Sequence, residues 1–308
     1  MKDIRIGVIG LGYLGKHHAR ILSQLENVSL KALIDEDFSI AESLSSQYGG
    51  KAFNDFRDAI ELVDAFVIAT PTSSHYSIAK ECLRQSKHLF IEKPITLNSK
   101  EAQELITLSE SMGLIIQVGH IERFNPAFIY AKKRIKNPLY FESERLSPYI
   151  ERAINIDVSL DLLIHDIDLI LTIMREKELN TTIKEISAEG LSMVSQKTDY
   201  VLAKIRFNSP VTAVLKASRI AQDKRREMYI YGVDSYLILD FSRQKVTEFN
   251  PEDKTFKDID LNNNEEPLRV ELSSFIHSIM NNLPPIVTAQ EALQALQIAE
   301  RVNQLTGA

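Results

Sequence analysis

Asp161, His165 and Asp168 occupy positions i, i+4 and i+7 of a stretch whose apolar residues have helical spacing. This spacing places the three side chains on one face of a helix, whereas Asp166 points elsewhere. An aspartate one turn before a histidine orients the imidazole and stabilises its protonated form, and histidine titrates near neutral pH. The pattern predicts that His165, assisted by Asp161, is a general base that removes a hydroxyl proton while hydride leaves the same carbon.

Two other interpretations of this stretch stay open. One is a solvated acidic face that carries an incidental histidine. The other is a metal site, which needs a third or fourth ligand that the sequence does not indicate. No metal is therefore assigned.

Glu92-Lys93-Pro94 is a second group that can do chemistry, and it directly follows an apolar β-type run. The proline fixes the backbone, so the two charged side chains leave the strand at a defined angle. A lysine held there can donate to a substrate hydroxyl and stabilise a developing alkoxide. The alternative is an ordinary surface pair of Glu and Lys.

A glycine-rich turn offers a place for a cofactor. Gly10, Gly12 and Gly15 have the spacing GxGxxG directly after the β-type run of residues 4–9. The first glycine permits a sharp strand-to-helix turn, the second lets backbone approach a pyrophosphate, and the third allows close helix packing. The phosphates then lie at a helix N-terminus. A second run, residues 29–34, ends in Asp35, an acid placed to bind the ribose hydroxyls of NAD.

The acidic residues after this second run bear on the choice between NAD and NADP. Asp35 is followed by Glu36 and Asp37, and no basic residue occurs from residue 35 to residue 48. Like charge disfavours a 2′-phosphate, whereas Asp35 can accept two hydrogen bonds from a free ribose diol. The sequence therefore predicts NAD.

The loop after the third predicted strand adds residues to the same sheet edge. Thr70 and Pro71 stand at the carboxyl end of a strand, where doubly wound folds bind their ligands. We expect both to border the cofactor. For His75 we favour a cofactor-edge or helix-capping position over catalysis, because no acid partner is evident beside it.

Two patterns of strands and helices must position these groups. Up to about residue 120, short apolar runs alternate with amphipathic stretches, which is typical of a parallel, doubly wound sheet. Between residues 139 and 249, longer alternating runs indicate a mostly antiparallel sheet with one solvated face. The predicted strands are residues 4–9, 29–34, 65–69, 88–91, 115–118, 184–193, 200–207, 212–218, 228–231 and 236–240.

The predicted fold class is α/β. An N-terminal Rossmann domain covers residues 1–122, and an α+β domain with an open, mostly antiparallel sheet covers residues 123–308. A helix over residues 158–174 should pack on the second sheet. Helices over residues 269–281 and 288–305 end the chain after a polar, acidic loop, with the last one able to pack back on the first domain.

The composition excludes several classes of protein. The chain has 308 residues, of which 44% are hydrophobic and 25% charged, as in a globular protein with room for two cores. The net charge is −6, and Lys and Arg are scattered along the chain. The sequence therefore shows no basic cluster that would bind nucleic acid or an anionic membrane. The sequence indicates neither a signal peptide nor a membrane span. Its single cysteine, Cys82, agrees with a reducing compartment, so we expect a cytoplasmic protein in which Cys82 is a buried helix residue.

Four motifs in a fixed order carry a resemblance to a known family. They are Gly10-x-Gly12-x-x-Gly15, Glu92-Lys93-Pro94, Arg123-Phe124-Asn125-Pro126 and Asp161-x-x-x-His165-x-x-Asp168. Together they resemble the glucose-fructose oxidoreductase, inositol dehydrogenase and MocA family (Gfo/Idh/MocA) over essentially the whole chain. The resemblance implies an NAD(P)-dependent oxidoreductase with its active site between two domains. It makes Lys93 the catalytic lysine and Asp161 with His165 the catalytic pair of the inositol dehydrogenase branch.

Residues 118–127, together with Ala217-Ser218-Arg219 and Lys224-Arg225-Arg226, look most like the nucleotide-sugar 3-dehydrogenases of this family. The resemblance implies oxidation of the C3 hydroxyl of UDP-N-acetylglucosamine, with an aminotransferase acting next in amino-sugar synthesis of the lipid A type. Arg145, Arg152, Arg219 and the run 224–226 can supply cations for the diphosphate. The alternative for each is a solvated strand or loop charge.

Spacing and resemblance together give the predicted site. The cofactor residues are Gly10, Gly12, Tyr13, Leu14, Gly15, Asp35, Thr70, Pro71, His75, Glu92 and Lys93. The substrate residues are Lys93, Arg123, Asn125, Arg152, Asp161, His165 and Arg219. The other functions that stay open are an inositol, free-sugar or UDP-sugar-acid dehydrogenase and a non-catalytic cofactor-binding regulator, which would need neither a base nor an alkoxide stabiliser. Because an open sheet exposes a broad face, we also expect a homodimer or homotetramer packed through that sheet.

Overall fold

The structure is a computed structural model and describes residues 3–150, 155–233, 235–261 and 265–307. The chain divides into two compact units. The first is drawn from Met1–His120 and Glu265–Gln294, and the second from Ile121–Asn264 and Ala295–Ala308. The sequence predicted one boundary, between residues 122 and 123, with the C-terminal helix able to pack back on the first domain.

The first unit is built on a six-stranded parallel sheet with the strand order β3-β2-β1-β4-β5-β6, the order of a doubly wound fold. Its strands are β1 (Ile4–Ile9), β2 (Val28–Ile34), β3 (Lys51–Phe53), β4 (Ala65–Ile68), β5 (His88–Glu92) and β6 (Ile116–Gly119). Its first helices are α1 (Tyr13–Leu22), α2 (Phe38–Tyr48), α3 (Thr72–Arg84) and α4 (Ser99–Ser111), with a 3-10 helix over Phe56–Leu62.

The central strands of this sheet are apolar at nearly every position because helices cover both faces. All four residues of β4 are buried, as expected for a strand inside a parallel sheet. The five strands predicted in this region are confirmed to within one residue at each end. The short strand β3 was not predicted, since only three residues after Gly50 pair with β2.

The second unit contains an eight-stranded sheet. Its strands are β7 (Pro138–Leu146), β8 (Ile183–Leu191), β9 (Tyr200–Phe207), β10 (Thr212–Ser218), β11 (Arg225–Gly232), β12 (Tyr236–Asp240), β13 (Lys245–Asn250) and β14 (Thr255–Ile259). A 3-10 helix (Ile121–Phe124) and α5 (Pro126–Arg134) precede the sheet, and a π-helical turn (Ser159–Leu163) leads into α6 (Ile164–Glu176). The chain ends with α7 (Pro267–Asn281) in the first unit and α8 (Ala289–Thr306), whose residues from 295 onward belong to the second.

The order of this sheet is β14-β13-β12-β11-β7-β10-β9-β8, and every neighbouring pair is antiparallel except β7 with β10. The prediction of an α/β protein with a Rossmann sheet and a mostly antiparallel second sheet is therefore confirmed. Three of its strands, β7, β13 and β14, were not predicted.

The two faces of the second sheet differ. Along β9 and β10, buried residues alternate with more exposed ones, so one face carries the core. Helix α6 contacts β7, and its residues from 166 to 174 are all buried. An aromatic row of Tyr140, Tyr231, Tyr236 and Phe256 crosses the other face, with successive ring centroids 5.9, 4.4 and 5.9 Å apart. Among the helices that the structure describes, none is long and apolar enough to cross a membrane.

Candidate active site

The glycine-rich turn between β1 and α1 leaves room for a phosphate. Gly10 has a φ of +84°, and a Cβ at this position would lie 2.7 Å from the backbone nitrogen of Thr70. A Cβ at Gly15 would collide with the carbonyl oxygen of Gly10. At Gly12 a Cβ would meet no atom within 4 Å, so this backbone borders open space. Helix α1 starts here without a side-chain cap, an arrangement that leaves its first N–H groups to an anion.

Asp35 ties the end of β2 to this turn. Its Oδ2 accepts a hydrogen bond from the backbone N–H of Leu11 across 2.7 Å, and its Oδ1 accepts one from Asp37 across 3.0 Å. A carboxylate can accept about four hydrogen bonds, so two sites remain for a ribose diol. Asp35 therefore orders the glycine turn in addition to the ribose-binding role predicted from the sequence.

His75 joins the ends of β4 and β5. Its ring is buried, with Nδ1 3.0 Å from the carbonyl oxygen of Pro94 and Nε2 2.9 Å from that of Thr70. Burial lowers the pKa of His75 although both carbonyls act in the opposite direction, and a neutral ring can donate to only one of them. His75 therefore connects the loops that follow β4 and β5, next to the predicted cofactor residues Thr70 and Pro71.

At the end of β5, the carboxylate of Glu92 is held inside the unit. Oε1 lies 2.7 Å from Nε2 of His18 on α1, and Oε2 accepts the backbone N–H of Lys93 across 3.3 Å. Glu92 is buried, whereas the Lys93 side chain is half-buried. Glu92 is therefore part of the support for Lys93, while a contact of either residue with cofactor stays a prediction.

The second unit positions the other predicted catalytic groups on the π-helical turn and α6. Asp161 lies in the π-helical turn and His165 in the first turn of α6, and both side chains keep part of their surface. Single π-helical turns are rare in proteins, and those that occur often lie at functional sites. Asp168 does not share this partly exposed surface, because it is buried and paired with an arginine.

A buried ion network holds α6 to the sheet. Arg145 of β7 donates from Nη2 to Asp166 across 2.7 Å and from Nη1 to Glu122 across 2.9 Å. Burial acts against the charge of Arg145, but the two carboxylates outweigh it and raise the pKa of the guanidinium above its ordinary value. Arg145 was a candidate cation for a diphosphate, and in the structure it neutralises these acids instead.

Three other predicted substrate residues have protein partners within the second unit. Arg123 donates from Nε and Nη2 to Asp168 across 2.8 and 2.5 Å. Asn125 caps α5 by accepting from the Ala127 N–H across 3.1 Å. Arg219 is buried and donates to the Ile156 carbonyl oxygen across 2.5 Å. These contacts explain why the three side chains are buried, and their binding of substrate stays a prediction.

The remaining predicted residues fall into two groups. Tyr13 and Leu14 begin α1 and are 57% and 41% exposed, so they border solvent beside the glycine turn. Arg152 lies outside the described residues. Within those residues, no group of three His, Cys, Asp or Glu side chains is placed to hold a metal ion.

Comparison with known proteins places the chain in a family. The profile GFO_IDH_MocA, described as an oxidoreductase family with an NAD-binding Rossmann fold, matches residues 4–120. UDP-N-acetylglucosamine 3-dehydrogenase from Acidithiobacillus ferrooxidans is 35% identical over 242 residues, which cover 78% of this chain and 75% of that protein. The chain belongs to the Gfo/Idh/MocA oxidoreductase family.

Other relatives of this Gfo/Idh/MocA protein cover nearly its whole length. A solved structure of UDP-N-acetylglucosamine 3-dehydrogenase from A. ferrooxidans matches 99% of this chain and 98% of its own, with a TM-score of 0.91 and 31% identity. Myo-inositol 2-dehydrogenase from Thermotoga maritima is 27% identical over 95% of this chain and 93% of its own. The chain is thus an NAD-binding oxidoreductase of the dehydrogenase type that acts on hydroxyl groups.

The first unit of this Gfo/Idh/MocA protein fits NAD. Gly12 borders open space at an uncapped helix start, and the half-buried carboxylate of Asp35 lies beside the same turn. These residues would hold the pyrophosphate and the ribose, respectively. Sequence reasoning missed His18, the histidine that binds Glu92, because no spacing pattern connects two residues 74 positions apart.

Proposed function

We propose that the chain oxidises the C3 hydroxyl of a nucleotide sugar, UDP-N-acetylglucosamine, to the 3-keto sugar. The observation that carries this proposal is the 35% identity to UDP-N-acetylglucosamine 3-dehydrogenase over 78% of the chain. The similarity of the fold to the solved structure of that enzyme, over 99% of this chain, adds support. Inositol dehydrogenases are also relatives, at 27% identity.

The proposed reaction breaks the O–H and C3–H bonds and forms a carbonyl. His165 takes the proton on a ring nitrogen, and Asp161, one turn earlier, stabilises the imidazolium that results. Lys93 donates to the oxygen that loses the proton and stabilises the negative charge that develops there. NAD bound to the first unit would supply the acceptor for the hydrogen and the electron pair that leave C3.

The cations of the second unit support a substrate that carries phosphate. Arg145 is buried and bound to carboxylates, whereas Lys224 is exposed and Arg226 keeps part of its surface. The positive charge of Arg226 lowers the pKa of Lys224, and the partial burial of the Lys224 amine adds a smaller effect in the same direction. A diphosphate next to these two side chains would relieve their repulsion. An inositol carries no such charge.

The test is the absorbance of reduced nicotinamide when the protein meets UDP-N-acetylglucosamine and NAD. An aminotransferase with glutamate consumes the keto product and draws an unfavourable equilibrium forward. Parallel reactions hold NADP, scyllo-inositol or glucose. Signal with the UDP-sugar and NAD supports the proposal, whereas signal with only an inositol or a free sugar refutes the proposed substrate and leaves the family unchanged.

His165→Ala tests the assignment of the base. We expect turnover to fall by about two to four orders of magnitude, because a general base contributes roughly this factor. Binding of NADH, followed by its fluorescence, should be retained. His277→Ala is the matched control, since His277 lies on the exposed side of α7. Turnover of His165→Ala close to that of the control would remove His165 from the base role.

A further inference from the structure

The carboxylate of Glu92 connects a buried histidine on α1 to the backbone of Lys93. We propose that His18 is a positioning residue for Lys93 and that it acts through this carboxylate. The inference rests on the proposed function, because it takes Lys93 as the group that stabilises the alkoxide. Neither the glycine motif nor the Glu-Lys-Pro motif includes His18.

Both oxygens of the Glu92 carboxylate are held by hydrogen bonds. Nε2 of His18 lies 2.7 Å from Oε1, and the backbone N–H of Lys93 lies 3.3 Å from Oε2. His18 has no accessible surface and Glu92 keeps 8%. Hydrogen bonds to an ionised group are stronger than neutral ones, and in a buried site water competes little for them.

The imidazole of His18 is itself fixed, and it is the donor in its hydrogen bond with Glu92. The ring stands edge-on to Phe90 of β5, with centroids 5.3 Å apart. An ionised carboxylate can only accept hydrogen bonds, so the proton between Oε1 and Nε2 belongs to the ring nitrogen. Burial raises the pKa of Glu92, but the hydrogen bond and the electrostatic attraction from His18, together with the charge of Lys93, outweigh it and bring the pKa below its ordinary value. His18 is therefore the donor and Glu92 the anion.

Gly119 provides the space for this arrangement. Glu92 and Gly119 are partners in the pairing of β5 with β6. A methyl group at Gly119 would lie 2.9 Å from Oε2 of Glu92, which is closer than van der Waals contact permits. The carboxylate of Glu92 thus fills the volume that a Cβ at position 119 would occupy. Packing against Gly119 therefore restrains this carboxylate in addition to its hydrogen bonds.

Restraint of the carboxylate restrains Lys93. With Oε1 on His18 and Oε2 on the Lys93 backbone, the negative charge of Glu92 stays at a fixed place beside the lysine. Without the His18 donor the carboxylate can rotate, and the residue it supports can shift. A displacement of about 1 Å in a catalytic group can lower turnover by about 100-fold.

The test is a set of matched variants assayed with NAD and UDP-N-acetylglucosamine. His18→Asn removes the donor, because an Asn amide reaches only the position of Nδ1, whereas His18→Gln restores a donor at the position of Nε2. Gly119→Ala displaces the same carboxylate from the other side and serves if His18→Asn does not fold. His277→Asn, on the exposed side of α7, is the control.

We expect His18→Asn to lower kcat by about 10- to 100-fold with little change in the KM for NAD, and His18→Gln to recover most of the loss. Gly119→Ala should behave like His18→Asn. The double variant His18→Asn/Lys93→Ala should be no slower than Lys93→Ala, because an effect transmitted through Lys93 disappears with that side chain. The inference is overturned if His18→Asn matches the control, if Gln does not restore turnover, or if the two losses multiply.

These results separate the inference from the proposed function. Wild-type protein that does not oxidise UDP-N-acetylglucosamine refutes the substrate, and normal turnover of Lys93→Ala refutes the role of Lys93. A readout without substrate is the acetylation of Lys93 by acetic anhydride, measured by mass spectrometry relative to Lys87. His18→Asn should change this ratio and His18→Gln should restore it, whereas a ratio equal to that of the control in all variants contradicts the inference.

Discussion

Asp166→Asn perturbs the buried network that holds α6. Arg145 is only 2% exposed, and it donates to Asp166 across 2.7 Å and to Glu122 across 2.9 Å. The substitution keeps the size of the side chain and one acceptor oxygen but removes a negative charge. Removal of one partner from a buried ion pair destabilises a protein by about 3–5 kcal/mol, and because Glu122 remains we expect about 3 kcal/mol.

The expected change in melting temperature follows from this free energy. In domains of roughly 150–250 residues, 1 kcal/mol lowers the melting temperature by about 2–4 °C, so Asp166→Asn should lower it by about 6–12 °C. Scanning calorimetry at neutral pH measures the shift. The variant must retain the native fold for this comparison. Circular dichroism well below the transition temperature can show that it does.

Glu144→Gln is the matched control. Glu144 lies on the outer face of β7 and binds Lys216 and Arg225 across 3.1 and 2.6 Å, with 26% of its side chain exposed. Exposed ion pairs contribute about 1 kcal/mol or less, so this variant should shift the melting temperature by no more than about 4 °C. Equal shifts for the two variants would refute the reasoning, because burial would then make no difference to the strength of the network.

Three further predictions concern other parts of the molecule. Cys82 is buried and burial raises the pKa of its thiol, so a disulfide reagent should label the protein only after unfolding, and rapid labelling of the native state would contradict this. Asp35→Ser removes the like charge that disfavours a 2′-phosphate and should lower the ratio of kcat/KM for NAD over NADP at least about tenfold, whereas an unchanged ratio in steady-state kinetics would speak against the role of the acid. If two copies pack through the aromatic row, Phe256→Glu should shift sedimentation toward monomer, and a wild type that is monomeric at micromolar concentration would exclude such a dimer.

The sequence predicts most of the fold because its strands and helices have clear periods. Residues 200–207, 212–218 and 236–240 alternate regularly, and the structure has strands with the same bounds. Strand β7 was missed because its inward positions include Ser143 and Arg145, which are buried but polar. Its pattern therefore looks polar on both faces. Strand β13 was missed because only Val246 among its six residues is buried, and β14 because it is an edge strand with four of its five residues exposed.

The candidate site could be predicted in its motifs but not in its connections. Motif spacing identified Glu92 and Lys93, yet the partner of Glu92 is His18, which the fold brings there from α1. Helical spacing likewise placed Asp168 beside His165, although Arg123 approaches Asp168 from another element and both are buried. Periodicity describes which face a residue occupies, whereas its partner depends on tertiary packing that a single sequence does not encode locally.

The buried pairs on α6 explain how His165, the proposed base, can be held in a fixed direction. Asp166 and Asp168 are buried, and each meets an arginine from a different element, Arg145 of β7 and Arg123 of the 3-10 helix. Rotation of α6 about its axis would break both pairs and leave charges buried without partners, which is strongly unfavourable. The axial rotation of the helix also sets the direction of His165, which directly precedes Asp166. Asp166 and Asp168 have the residue type of a catalytic acid, but here they fix the rotation of α6. A helix fixed in this way can orient a base more firmly than a loop can.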